Sequence, residues 1–476
     1  MSQVDSFNGY SYKFPEAKQV LSAYDLKLKN SISSIEEHKS DYKEIFENST
    51  ILLKDNISNN LYIHEQKLVD YFDSILKELC AKNKGLNYDN FNLFISRYPW
   101  GNASCYYEGT IVFQLGLYRK LESESQIAFV LAHELAHYYF KHGINSINKY
   151  VQEINSTEFK KEVKEIKNME YNSRKRAVEL IKGITYSSRR HGRNHESQAD
   201  SMALIFLANT KYDVHNGIKA IELLDSIDTD KYTVKIKYDS IFNFTNYPFK
   251  KRWLIDDNVS IFGDPTEDNI DEFDLDSLKT HPDCKIRYTQ LKQLCSSYSK
   301  EGEINPQGEN KLKTLRAEAD FELLHSYYSL NYSSIRALDK ALFYSLKLLY
   351  LYPDNAYINQ LVGNCFYVFY NAQNSYKLNN YVESKGHYNS DQYDEFLLVI
   401  KNFSLNDYRN IGFHYMESKY PQFKDNENYL YQLVLNASIL EDQESFNSYA
   451  LKYSINFPDG KYSEEIKQIS EQNINK

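Results

Sequence analysis

The sequence predicts an α+β fold that is mainly helical, with two domains of different character. Residues 1–300 combine amphipathic helical segments with two short strand-like segments, which together indicate a domain with a small sheet. A linker is expected at residues 301–316, a stretch rich in glycine, proline and charged side chains. Residues 317–476 have almost no strand signal, and their regularly spaced aromatic–proline pairs predict an α-helical repeat domain.

Length and charge limit the classes of function. With 476 residues, the chain is long enough for more than one hydrophobic core. Its formal net charge of -9 argues against nucleic acid as a partner. No run of about 18 apolar residues occurs, so no integral membrane segment is expected. The N-terminus lacks the features of a secretory signal, which predicts a cytoplasmic protein on the sequence as given. A periplasmic or secreted location would require that a signal has been removed.

Two short segments ahead of the first long apolar helix predict a β-hairpin. Residues 102–107 and 110–113 are strand-like, and Glu108-Gly109 between them supplies the turn. Such a hairpin leaves one strand edge open, which is a surface that an extended chain can pair with.

Residues 123–143 predict a single amphipathic helix. Ser123 and Gln126 form a capping box at its start, and Gly143 follows the last periodic residue. The expected buried stripe consists of apolar residues at helical spacing, namely Ile127, Val130, Leu131 and Leu135.

This helix carries the pattern His133-Glu134-Leu135-Ala136-His137. Residues four apart on a helix point the same way, so both imidazoles can bind one metal ion. Glu134 is rotated away from the pair and can act as a general base on water rather than as a ligand. We therefore expect one Zn²⁺ per chain, but the pattern alone is only moderately specific and needs a third ligand.

Glu196 is the candidate third ligand. It lies in a segment whose apolar residues predict another helix, and Asp200 follows one turn later on the same face. Two histidines and one carboxylate leave the fourth zinc position open, as a hydrolytic site requires. Asp200 would accept the free ring N–H of a ligand histidine, with His133 the first choice. His191 and His195 are alternative third ligands, although neither has a carboxylate one turn away.

The order of further motifs along the chain is distinctive. They are Asn102-Ala103, Glu108-Gly109, Gly116-Leu117, the His133–His137 pattern, Glu196-x-x-Ala-Asp200, His281-Pro282 and Arg287. In this order they resemble the M48 peptidase family, the gluzincins related to the CAAX prenyl protease and the HtpX heat-shock protease. The resemblance covers roughly residues 60 to 300.

The resemblance implies a zincin-type fold and zinc-dependent endopeptidase activity, with the ligands and the general base proposed above. His281 corresponds to a family histidine that lies by the site, which makes it a candidate for stabilising the oxyanion. A structural histidine ahead of a proline is an equal alternative. Arg287 is expected either on a helix surface or as an orienting residue.

The substrate of such an enzyme is a peptide or protein. The open edge of the predicted hairpin suits an extended peptide that binds as an added strand, with Asn102, Ala103 and Ser104 as candidate substrate-binding residues. Main-chain pairing of this kind gives little sequence preference, so side-chain pockets would set it.

Two features depart from the resemblance. Membrane members of the family carry transmembrane helices, whereas this chain predicts a soluble form. Residues 144–194 and 226–279 are longer than the short connections we expect in the family. Either segment is a candidate lid over the cleft, with surface elaboration as the alternative.

The last third of the chain has tetratricopeptide spacing. Pro353 and Pro421 are 68 residues apart, twice 34, and Pro458 follows 37 residues later. The small and aromatic positions of the repeats would be filled by Ala341, Tyr332, Gly363 and Phe366. An irregular helical bundle is the alternative, and either arrangement could hold a protein partner.

Three functions are compatible with the sequence. The first is a zinc endopeptidase whose repeats recruit a substrate or partner. The second is a self-inhibited or chaperone-like protein-binding scaffold on a peptidase fold, and the third is a non-peptidase zinc hydrolase. All expected ligands and the general base are present, which favours the first over the second. The resemblance alone disfavours the third.

Overall fold

The fold class is confirmed by the computed structural model, which is mainly helical with a small four-stranded sheet. The structure describes residues 9–99, 101–169, 192–225, 232–255, 284–298, 306–329, 331–332, 335–384 and 390–474. The chain divides into two compact units. The sheet unit comprises Tyr10–Asp228 and Phe273–Ala319, and the helical unit comprises Met1–Gly9, Thr229–Glu272 and Asp320–Lys476.

The helices are numbered here in chain order over the described residues. They are α1 (Ala17–Ser33), α2 (Lys39–Ser58), α3 (Gln66–Lys82), α4 (Leu115–Tyr118), α5 (Glu124–Tyr139), α6 (His142–Asn155), α7 (Thr157–Lys167), α8 (residues 192–208), α9 (Val214–Gly217), α10 (Lys219–Asp225), α11 (Tyr238–Ile241), α12 (Cys284–Cys295), α13 (Pro306–Ser329), α14 (Leu338–Leu348), α15 (Ala356–Asn374), α16 (Asp391–Lys401), α17 (Leu405–Phe423), α18 (Glu427–Ser438), α19 (Gln443–Asn456) and α20 (Ser463–Ile474). Short 3₁₀ turns occur at Tyr88–Asn90, Lys251–Leu254 and Leu378–Asn380.

The sheet has the strand order β1-β2-β4-β3. Its strands are β1 (Tyr62–Ile63), β2 (Asn92–Ser96), β3 (Ala103–Cys105) and β4 (Thr110–Gln114). The central strands β2 and β4 run parallel, and the two outer strands pair antiparallel to them. The predicted hairpin is therefore present as β3 and β4, with β3 at the edge of the sheet.

The turn of this hairpin depends on Gly109. Its φ angle is +92°, and a Cβ atom at this position would collide with the carbonyl oxygen of Asn90. A residue with a side chain is excluded on both grounds, because positive φ and close backbone approach both favour glycine. This turn fixes where β3 lies beside β4.

Helix α5 is buried on all sides rather than along one stripe. Every residue from Glu124 to Ala136 is buried, because α5 contacts α3, α6, α9, α10 and β3. The helix starts as predicted, with the Ser123 hydroxyl accepting the N–H of Gln126 at 3.2 Å. The side chain of Gln126 accepts the N–H of Glu122 instead of that of Ser123. The result is that His133 and Glu134 lie inside the sheet unit.

The predicted linker at residues 301–316 is helical from Pro306 onward, as part of α13. Glycine, proline and charge suggested a linker, but Leu312, Leu315 and Ala319 recur at helical spacing and are buried. Pro306 is the first residue of the helix, where its missing N–H costs nothing.

The segment 232–255 belongs to the helical unit, although the sequence places it within residues 1–300. The side chains of Phe242 and Trp253 are fully buried there. Trp253 packs edge-on against Phe403, with ring centroids 5.0 Å apart, and its carbonyl accepts a hydrogen bond from Asn402. The units therefore differ from the predicted domains, because these contacts join residues far apart in sequence.

Charged contacts hold the same segment. Asp407 caps α17 through Ser404 and also accepts hydrogen bonds from Lys250 at 2.6 Å and Tyr247 at 2.6 Å. A second cation, Arg252, lies 3.0 Å from the same carboxylate. Burial alone would raise the pKa of Asp407. The hydrogen bonds outweigh burial and hold this pKa well below its ordinary value.

The helices of the helical unit pack closely where α15 crosses α17. A Cβ atom at Gly363 would collide with the sulfur of Met416, and one at Gly412 would come within 2.7 Å of the Cβ of Phe366. Both glycines therefore permit the close crossing.

The sequence interpretation of the repeats differs from the structure at two positions. Tyr332 lies in a two-stranded hairpin of β5 (Asn331–Tyr332) and β6 (Ile335–Arg336), and Pro421 lies in the last turn of α17 rather than after it.

Within the described residues, no helix combines the length and apolar character needed to cross a membrane. Of the two candidate lid segments, residues 144–167 form most of α6 and all of α7. Residues 170–191 and 256–283 lie outside the described part of the chain.

Candidate active site

Helices α5 and α8 bring three potential metal ligands together. The Nε2 atoms of His133 and His137 are 3.0 Å apart. Glu196 on α8 places one carboxylate oxygen 3.4 Å from the first of these nitrogens and the other oxygen 3.3 Å from the second. Within the described parts of the chain, these residues form a group of three whose donor atoms all lie within 4.8 Å of one another.

The spacing of these atoms fits zinc. Ligand atoms about 2.0–2.1 Å from a tetrahedral ion are about 3.3 Å from one another, which matches the observed 3.0–3.4 Å. Two imidazoles and a carboxylate are also ligands that zinc favours, and the set leaves a fourth position for water or substrate.

Asp200 lies one turn after Glu196, where the sequence placed it. Its Oδ1 is 3.0 Å from Nδ1 of His133, the ring nitrogen that faces away from the other ligands. Arg287 from α12 donates two hydrogen bonds to the same carboxylate, at 2.7 and 2.8 Å. Asp200 thus connects His133, a potential metal ligand, to a buried cation.

Arg287 is more central than the sequence indicated. Its side chain is buried, and besides Asp200 it contacts Glu196, with Nη1 3.0 Å from Oε2. Arg287 was expected either on a helix surface or in an orienting role, and the expectation of a surface position is therefore wrong. The sequence showed an arginine after His281-Pro282, but not that its helix would aim the side chain at α8.

The charges around Glu196 explain its protonation state. Burial alone would raise its pKa, but hydrogen bonds from His133 and His137 and the charge of Arg287 hold the pKa well below its ordinary value. The pKa of Asp200 is lowered in the same way, with burial opposed by Arg287 and His133. Both carboxylates are therefore ionised at neutral pH.

Glu134 lies beside the ligands but outside their group. It is buried, and burial is the main reason that its pKa is raised, while the two histidines and a hydrogen bond with the Cys105 backbone act in the opposite direction. A carboxylate with a raised pKa accepts a proton more readily at neutral pH, as a general base requires.

The edge strand β3 presents backbone groups next to Glu134. The carbonyl of Asn102 accepts a backbone hydrogen bond from Gln114, and the N–H of Tyr106 donates one to Thr110, so by alternation Ser104 also faces β4. The N–H and C=O groups of Ala103 and Cys105 therefore point to the open side of the sheet. Of the predicted substrate-binding residues, Ala103 offers this main-chain edge, whereas Asn102 and Ser104 pair with β4.

The other candidate residues divide into two groups. His281 and His191 lie outside the described residues. His195 is described, but it stacks against His142, with ring centroids 4.1 Å apart, and is not in the ligand group.

His142 was not identified from the sequence. It is buried, and its Nδ1 atom lies 3.1 Å from Nδ1 of His137. Burial is the main cause that lowers its pKa to about 4. The sequence does contain a third histidine five residues after His137. That spacing gave no reason to expect a contact, because residues five apart do not lie on one helix face.

Substitutions of the two carboxylates on α8 should have different effects, because Glu196 is a candidate metal ligand and Asp200 contacts one. Glu196→Ala should lose zinc outright, because the substitution removes one of the three potential ligands. Asp200→Ala should weaken zinc binding about 10- to 100-fold, the usual effect of losing a partner behind a ligand histidine. Zinc content after dialysis and competition with a chromophoric chelator would measure both. Unchanged zinc binding in Glu196→Ala would show that the third ligand is elsewhere, with His195 or His191 first in line.

Zinc binding should depend on pH. Burial disfavours the charged form of His133, but its contacts with Asp200 and Glu196 outweigh burial and raise the pKa to about 10. In protein stripped of metal by a chelator, His133 is thus protonated at neutral pH, and zinc must displace that proton. Affinity should fall about tenfold per pH unit from pH 9 to pH 6. Chelator competition across this range would measure it, and a pH-independent affinity would contradict the assignment.

Comparison with known proteins agrees with this geometry. The model of Peptidase family M48 matches residues 68–295, which include α5, α8 and three strands of the sheet. A search of curated proteins gave no match. M48 is a family of metallopeptidases, and every described residue of the site falls inside the matched range. Residues 68–295, with their convergent histidines and carboxylates, are thus similar to the M48 metallopeptidases.

Proposed function

We propose that the protein is a zinc-dependent endopeptidase that acts on peptide or protein substrates. The observation that carries this proposal is the convergence of His133, His137 and Glu196 beside the buried carboxylate of Glu134. The match to a metallopeptidase family over the same residues supports it.

The residues have distinct tasks in this mechanism. His133, His137 and Glu196 would hold the ion, and Asp200 with Arg287 orients His133. When bound, zinc supplies Lewis acidity toward water and toward a peptide carbonyl. Glu134 takes the proton of the attacking water and delivers it to the leaving amine. Its buried position favours both steps, because burial brings the pKa of the carboxylate closer to neutral pH.

We propose that the substrate binds as an added strand along β3. The outward N–H and C=O groups of Ala103 are available for main-chain pairing, and Cys105 is next to Glu134. An extended peptide on this edge would pass the general base and the three ligands. The helical unit is proposed to recruit a substrate or partner protein, on the strength of its repeat spacing.

A cavity beside the site has the character of a side-chain pocket. Its volume is about 430 Å³. It is lined by His137, by the last residue of β3 and the two residues after it (105–107), and by residues at the junction of α5 and α6. Tyrosines dominate the lining, Lys141 adds a positive charge, and no carboxylate is among the described lining residues. We infer that it accepts an aromatic or aliphatic side chain beside the cleaved bond.

Peptides that differ at one position should report this preference. Those with phenylalanine or leucine next to the cleaved bond should have a higher kcat/KM than those with lysine, because the cavity is apolar and carries a cation. A quenched-fluorescence peptide series measures it, and equal rates across the series would contradict the inference.

The function itself is tested on the full chain. Metal analysis should find about one zinc per protein. An unfolded protein such as casein should be cleaved, with activity lost on chelation and restored by zinc. Zinc binding with tight retention of unfolded protein but no cleavage would favour the self-inhibited or chaperone-like scaffold. Absence of zinc binding would contradict the proposal.

A further inference from the structure

His142 connects the two helices that carry the metal ligands. Its Nδ1 is 3.1 Å from Nδ1 of His137 on α5, and its Nε2 is 3.0 Å from Oε1 of Gln198 on α8. Its ring also stacks on His195, with 13° between the planes. His195 and Gln198 lie close to Glu196 in sequence. One buried ring therefore contacts His137 itself and two sequence neighbours of Glu196.

The hydrogen-bonding capacity of these groups fixes the direction of each bond. Nε2 of His137 faces His133 and Glu196, so an ion bound there requires the ring proton of His137 on Nδ1. That proton can be donated to Nδ1 of His142, whose own proton then resides on Nε2. The carbonyl oxygen of Gln198 accepts this second proton, since an amide oxygen can only accept. This arrangement gives each of these hydrogen bonds, from His137 to His142 and from His142 to Gln198, one donor and one acceptor.

We propose that His142 is a positioning residue of the metal site, which fixes the ring orientation and tautomer of His137. The inference rests on the proposed zinc function. It makes the two ligand histidines differ in their support: His133 is held by a carboxylate that is itself paired with Arg287, and His137 by an imidazole that is itself paired with Gln198.

The local backbone is built for this contact. On an uninterrupted helix, residues five apart point about 140° away from each other, so His142 could not reach His137. The chain leaves α5 after Tyr139, and Lys141 adopts a left-handed conformation with φ of +57°. Helix α6 then starts at His142. A left-handed lysine is a strained backbone conformation, and a contact at the site would offset that strain.

Two substitutions separate the hydrogen bond from the packing. His142→Phe keeps a flat ring for stacking on His195 but has no acceptor for His137. His142→Asn places an amide oxygen close to the position of Nδ1 but loses the ring. The zinc dissociation constant of each variant is measured by chelator competition. The visible absorption of the cobalt-substituted protein reports ligand geometry, and thermal unfolding checks the fold.

The expected pattern is specific to positioning. His142→Phe should bind zinc about 10- to 100-fold more weakly and shift the cobalt spectrum, whereas His142→Asn should retain most of the affinity. Three outcomes would overturn the proposal: weaker zinc binding in His142→Asn alone, equally weakened zinc binding in both variants, or unchanged zinc binding in both.

Failure of this inference can be told apart from failure of the proposed function. If the unsubstituted protein does not bind zinc, the proposed function itself fails, and the positioning role with it. If the unsubstituted protein binds zinc and Asp200→Ala weakens it, but His142→Phe does not, only the role of His142 is wrong.

Discussion

Glu134→Gln should abolish peptide cleavage while zinc remains bound. Glutamine keeps the size of the side chain but cannot take a proton from water, and Glu134 is outside the group of ligands. We expect kcat to fall by at least about 10³-fold, because a general base and acid is lost at both proton transfers. Cleavage of casein or a short peptide and zinc content are measured on the same preparation.

A matched control is available on the same helix. Glu124 is also buried on α5, three turns before the site, so Glu124→Gln makes the same chemical change away from the ligands. It should leave zinc content and kcat close to those of the unsubstituted protein. Loss of zinc in Glu134→Gln would show that Glu134 is a ligand, and unchanged turnover would remove it from the mechanism.

Trp253→Ala should cause the largest loss of stability in the helical unit. The indole is fully buried against Phe403, and Phe249 packs on it at 5.2 Å between ring centroids. Truncation of a buried aromatic side chain of this size costs about 3–5 kcal/mol. Chemical unfolding followed by tyrosine fluorescence or circular dichroism would measure the change in the free energy of unfolding.

The neighbouring Leu254 provides the control, because its side chain is 44% exposed. Leu254→Ala should change the free energy of unfolding by about 0.5 kcal/mol or less. Equal effects of the two substitutions would show that residues 232–255 are not an integral part of the helical unit.

The parts of the site that could be predicted are those set by local periodicity. A spacing of four residues on an amphipathic helix is enough to make His133 and His137 converge, and the same spacing relates Glu196 to Asp200. The hairpin followed from a turn that requires glycine. In each case, the sequence neighbours of a residue determine its direction.

What could not be predicted depends on contacts between distant residues or on an unusual backbone angle. His142 reaches His137 only because Lys141 is left-handed, and a lysine gives no signal for that conformation. Arg287 meets Asp200 across 87 residues of sequence. The boundary near residue 229 was missed because the partners of Trp253 lie almost 150 residues later, in the turn between α16 and α17, which the composition of residues 232–255 does not reveal.

The discontinuity of the helical unit has a consequence for how the chain is made. Trp253 leaves the ribosome 149 residues before Asn402, its hydrogen-bond partner. At about 5–20 residues per second, this interval lasts roughly 7–30 s, during which Phe242 and Trp253 lack the surface that buries them in the finished protein. The contacts of Trp253 can therefore form only after Asn402 and Phe403 have been synthesised, and the nascent chain is expected to need protection from aggregation until then.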